Sequence, residues 1–77
     1  MYGSTILSKA LRQRGLSSKP GHENKVGRIL IQNGREVGPM TASVGWALVR
    51  LIDGTSLDDV PRCDVAAARK LYAGLDR

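Results

Sequence analysis

The sequence predicts a mainly α, small single-domain helical bundle with a basic N-terminal arm. Three observations predict it. The chain has 77 residues, room for one small domain. Apolar residues recur at helical spacing through most of it. Ser, Thr and Gly stand where helices start and stop. Apolar residues make up 42% of the chain, an ordinary globular share, so wholesale disorder is not expected.

The first helix is expected over residues 4–14. Ser4 or Thr5 can cap it, Ile6, Leu7, Ala10 and Leu11 form its apolar stripe, and Gly15 stops it. Lys9 and Arg12 fall on the opposite face. Residues 15–24 read as a loop, because Pro20-Gly21 is turn chemistry and only Leu16 is strongly apolar. Residues 1–24 therefore form a basic helix with a flexible loop, and residues 25–77 a compact, mainly helical core.

Residues 25–40 admit two readings. Val26, Ile29 and Leu30 follow i, i+3, i+4, and Asn33-Gly34 would end such a helix. Asn-Gly is also the strongest two-residue hairpin signal, and it would pair residues 25–32 with 35–40. Gly38-Pro39 weakens the second strand. The helical reading is preferred and the hairpin remains open.

Residues 42–53 are the clearest helix, capped by Thr41 or Ser43 and ended by Gly54. Val44, Ala47, Leu48, Leu51 and Ile52 make its apolar face, and Trp46 falls on the far side. Thr55 with Asp58 approximates a capping box for a short helix over residues 55–60. The last helix spans residues 63–73, with Val65, Ala68, Leu71 and Tyr72 inward and Ala66, Arg69, Lys70 and Ala73 outward. Trp46 is expected to pack on the first helix or on the 25–40 segment.

Charge carries most of the functional reading. The net charge is +5, and residues 1–35 hold Lys9, Arg12, Arg14, Lys19, Lys25, Arg28 and Arg35 against Glu23 alone. An excess confined to one half points to a polyanion contact. The only aromatics are Tyr2, Trp46 and Tyr72, too few for a single-strand stacking platform. With no Phe the core is thin, and a partner, or a second copy in a homodimer, is one source of further burial.

Catalysis and cofactors are not expected. His22 is the only histidine and Cys63 the only cysteine, so neither a zinc set nor an oriented nucleophile pair can be assembled. Cys63 reads as a small buried hydrophobe and admits no intramolecular disulfide. No phosphate-cradling glycine motif occurs. No apolar run approaches a membrane span, and a cytoplasmic location is expected.

Residues 42–73 loosely resemble a helix-turn-helix unit. That resemblance implies a second helix able to enter a DNA groove. The turn glycine is absent, and the last helix lacks the Asn and Gln that read bases. The expected function is a small basic transcription regulator that binds nucleic acid. Lys9, Arg12, Arg14, Lys19, Lys25, Arg28 and Arg35 would hold phosphates, and Arg69 and Lys70 would extend the contact. The alternative is a phage-type, protein-binding modulator that attaches to host RNA polymerase or another host complex, as inhibitor or antiterminator. Trp46 and the basic segment would then dock on an acidic partner.

Overall fold

The turn at Asn33-Gly34 decides the architecture. Both residues have positive φ, 55° and 76°. That pair of angles defines a type I′ turn, whose twist matches the strands of a hairpin. The preferred helix over residues 25–40 is thereby overturned. Arg28–Gln32 and Arg35–Met40 are antiparallel strands β2 and β3, with Gln32 opposite Arg35. Ile29 and Leu30, read as part of one helical stripe, lie on opposite faces of a strand. Leu30 alone of the described β2 residues is fully buried, and its neighbours alternate away from the core as strand residues do.

The computed structural model describes residues 2–21 and 27–76, with side chains from Ile6 onward. The expectations placed on His22, Lys25 and Val26, on the side chain of Tyr2 and on capping by Ser4 or Thr5 lie outside what is described. In chain order the elements are α1 (Tyr2–Arg12), β1 (Leu16–Pro20), β2, β3, α2 (Ala42–Asp53) and α3 (Arg62–Ala73). The described residues thus hold three helices and a three-stranded sheet, so the fold is mixed α/β and not a mainly α bundle. The three strands form one antiparallel meander in the order β1-β2-β3.

The loop expected over residues 15–24 is in part strand β1, Leu-Ser-Ser-Lys-Pro, paired along its whole length with β2. Its composition carries little strand signal, and β2 imposes the conformation. The described part of the expected arm is not detached either. Leu7, Leu11 and Leu16 join the same core as Leu30, Met40, Leu48 and Leu71.

The helices cover one face of the sheet. α1 lies over β1, α3 over β3, and α2 packs between the two helices. A bulge in β3 serves this layer. Leu30 faces Gly38 and Ile31 faces Glu36, so Val37 is the extra residue. The bulge keeps Val37 against the core beside α3. Gly38 leaves just enough space for Leu71, whose Cδ2 would stand 3.0 Å from a Cβ there.

The caps of α2 follow the sequence. Thr41 Oγ1 accepts the Val44 N–H at 3.2 Å. At the other end Gly54 takes φ 73°, and the N–H groups of Gly54 and Thr55 donate to Leu51 and Arg50 carbonyls. That is a Schellman stop. The short helix expected over residues 55–60 does not form. Residues 54–61 are an irregular connection, and Ser56 Oγ accepts the Asp58 N–H. The helix-turn-helix reading goes with the helical bundle: α3 contacts both α2 and the sheet, where Leu71 lies against Gly38 of β3.

Three side chains depart from expectation. Ile6, placed on the apolar stripe, is 61% exposed. Leu7, Leu11 and half-buried Ala10 suffice for the buried side of α1. Cys63 is exposed rather than a buried hydrophobe. Trp46, expected to pack on α1 or on residues 25–40, is exposed and lines a hollow with Asp59, Val60, Pro61 and Asp64, beside the connection into α3. No described helix is long and apolar enough to cross a membrane.

Candidate functional site

Three cations of the basic first half, Arg14, Lys19 and Arg35, are paired by the fold with acids from the second half. Arg14 follows the end of α1, and its guanidinium forks onto Asp53 at the end of α2. Nε donates to Oδ1 at 3.0 Å and Nη2 to Oδ2 at 2.6 Å, while Nη1 donates to the Ala10 carbonyl at 2.6 Å. The hydrogen bonds from Arg14 are the main reason the Asp53 carboxyl lies below the usual carboxylate range. The same bonds raise Arg14 further above its ordinary value.

Two more expected phosphate ligands are engaged in the same way. Lys19 of β1 reaches across the open face of the sheet to Glu36 of β3, at 2.5 Å. Arg35, in the first position of β3, meets Asp76 at 3.3 Å. Arg28 is half-buried and donates from Nε to Ser18 Oγ at 3.0 Å. Beside Arg35 the Gln32 amide forms a two-point clamp on the chain end. Its Nε2 donates to the Asp76 carbonyl at 2.9 Å, and its Oε1 accepts the Asp76 N–H at 2.7 Å.

On the helical layer Arg50 pairs with Asp59 and donates to the Ser56 carbonyl at 3.3 Å. The Arg50 hydrogen bond is the leading reason that Asp59 also titrates below the usual range. These contacts fasten the connection 54–61 to α2.

Besides half-buried Arg28, which meets Ser18, five cations have no acid partner among the described residues: Lys9, Arg12, Arg62, Arg69 and Lys70. All five are exposed. They fall into two groups. Leu7 and Arg14 mark the side of α1 that meets α2. At about 100° per residue, Lys9 and Arg12 stand roughly opposite Arg14, on the flank away from α2. Arg62, Arg69 and Lys70 project from α3, on the far side of α2, together with exposed Ala66 and Ala73. Arg69 and Lys70 therefore do not extend a contact made by Lys9 and Arg12.

No family model, no curated protein and no solved structure matches this chain.

Sequence reasoning misses Arg62, because it places this residue in the turn before the last helix and not in that helix. The spacing of seven from Arg69 is the signal that could have found it. No cluster of His, Cys, Asp and Glu able to hold a metal ion occurs among the described residues. The Cys63 thiol is exposed and lies 3.9 Å from a carboxylate oxygen of Asp64. Trp46, at 37% exposure, lines a shallow hollow with Ser43, Arg50 and Asp64.

Proposed function

We propose that this chain is a small regulator that attaches to nucleic acid through the outer side of α1. The observation that carries the reading is the pair Lys9 and Arg12. Both are exposed, both lack an acid partner among the described residues, and both lie on the flank turned away from α2. The acids that would compete with phosphate are largely engaged elsewhere, Asp53 with Arg14, Asp59 with Arg50, Glu36 with Lys19 and Asp76 with Arg35. The net charge of +5 favours the approach of any polyanion.

The mode of attachment is phosphate neutralisation. Lys9 and Arg12 each displace condensed counterions, which makes affinity fall as salt rises. No base readout is proposed, since phosphate contacts by Lys9 and Arg12 carry no sequence information.

Anisotropy of a labelled 20-base-pair duplex, titrated with the protein between 50 and 200 mM salt, tests it. Changing Lys9 and Arg12 together to Ala should weaken binding and reduce the slope of log affinity against log salt by about two. Arg35→Ala, which removes a base already paired with Asp76, should leave that slope nearly unchanged. A wild-type affinity independent of salt would refute the reading.

A further inference from the structure

Two of the α3 cations, Arg62 and Arg69, differ from those of α1 in one respect: they border an apolar hollow. Its volume is about 410 Å³, and it lies between α3 and the connection that precedes it. Leu57, Val60, Val65 and Ala66 supply apolar lining, and Arg62 and Arg69 stand on the α3 side. The two arginines stand seven helical positions apart, about 10 Å along the axis. Neither has an acid partner among the described residues.

The hollow is held open by the fold. Val60 N–H donates to the Leu57 carbonyl at 3.0 Å, closing a turn in its wall. Arg50 fastens the same segment through Asp59 and the Ser56 carbonyl. A ligand therefore meets a wall already in place, which lowers the ordering cost of binding.

The lining fixes the chemistry of the occupant. Leu57, Val60 and Val65 are half-buried, and their remaining open surface gains by covering with an apolar side chain. The guanidiniums of Arg62 and Arg69 match carboxylates in planar, two-point geometry. A phosphate backbone could satisfy the arginines but brings nothing apolar to the floor. The hollow has no aromatic ring on which a base could stack. Asp58, on the connection side, repels an anion there and leaves α3 as the favourable side.

We propose that this hollow is a docking site for a short acidic segment of a partner protein. One apolar side chain of that segment sits on Leu57, Val60 and Val65, and flanking carboxylates reach Arg62 and Arg69. The site lies across α2 from Lys9 and Arg12, so it does not depend on the α1 reading and can be filled at the same time.

Two labelled peptides of equal charge test it, each with two glutamates on either side of a central residue, which is leucine in one and glycine in the other. A short duplex DNA is the third probe. The leucine peptide should bind at least tenfold more tightly than the glycine peptide. Ala66→Glu places an acid on the exposed floor with a good helix former, and should abolish that difference while circular dichroism stays unchanged. Arg62→Ala with Arg69→Ala should weaken both peptides. The double change of Lys9 and Arg12 to Ala should leave peptide binding intact. Equal affinity for the two peptides overturns the proposal, as does a leucine preference that survives Ala66→Glu. Duplex DNA that displaces the leucine peptide, with affinity lost in the Arg62/Arg69 double variant, would make this a nucleic-acid surface instead.

Discussion

Leu7 occupies the space that a side chain on Gly45 would need. A Cβ at Gly45 would stand 2.7 Å from Leu7 Cδ2 and 3.4 Å from Met40 Sδ. The crossing of α1 over α2 is therefore set by a missing methyl group. Leu7 is 2% exposed and has no room to move away.

Gly45→Ala should accordingly destabilise the protein, although alanine is the better helix former by about 1 kcal/mol. Overpacking of this kind costs about 1–3 kcal/mol. Thermal unfolding would show a lower midpoint. Adding Leu7→Val, itself mildly destabilising, should recover part of the loss, because the two positions share one space. A Gly45→Ala protein more stable than the wild type would mean that α1 does not sit against α2 as described.

The hairpin turn gives a second test. Gly34 has φ 76°, and a methyl group added to its Cα would meet nothing within 4 Å, so only backbone conformation resists substitution. Gly34→Ala should cost about 1–2 kcal/mol, the penalty for a left-handed L-residue. Urea denaturation measures it. Gly27 has equally open surroundings and no positive φ, so Gly27→Ala should cost less.

The Arg14–Asp53 pair predicts a pH dependence. The carboxyl of Asp53 titrates below its ordinary value in the folded chain. The stability that the pair contributes is therefore full above the ordinary carboxylate range, near pH 4, and is lost as pH falls through the depressed folded-state value. Asp59, held by Arg50, behaves with the same sign. Wild type and Asp53→Asn should differ in thermal midpoint at pH 6 and converge near pH 2. A constant difference across that range would assign the effect of Asp53→Asn to something other than charge.

The chain end offers a local test. Gln32→Glu replaces the amide donor to the Asp76 carbonyl with a carboxylate. It should release residues 75–76 and speed amide exchange at Asp76, with a global effect below about 1 kcal/mol. Slow exchange at Asp76 in that variant would show that Gln32 is not the clamp.

α2 is legible in the sequence because cap, periodicity and stop agree: Thr41, then Val44 to Ile52, then Gly54; α3 is legible from its periodicity and from Gly74 alone, since no side chain caps its start. β1 is not, since Leu-Ser-Ser-Lys-Pro holds one strong apolar residue and owes its conformation to β2. The 25–40 segment carries both signals, and the I′ turn prevails over a three-residue helical stripe. Among the candidate site residues, exposure of Arg69 and Lys70 follows directly from helical spacing. Availability of the other bases does not follow, because it depends on partners far along the chain. Arg14 meets an acid 39 positions later and Arg35 one 41 positions later. A count of charges along half a sequence cannot register such pairs.

The strand order leaves β1 and β3 as the two outer strands of the sheet, each with one side unpaired. Such borders invite neighbouring chains to add strands and grow into aggregates. Both carry proline, Pro20 in β1 and Pro39 in β3, which withholds an N–H at each place. β3 is further bent by its bulge at Val37, and β1 presents a lysine near its end. The irregularities that make these two strands hard to read as strands are the same ones that keep the sheet from extending beyond three.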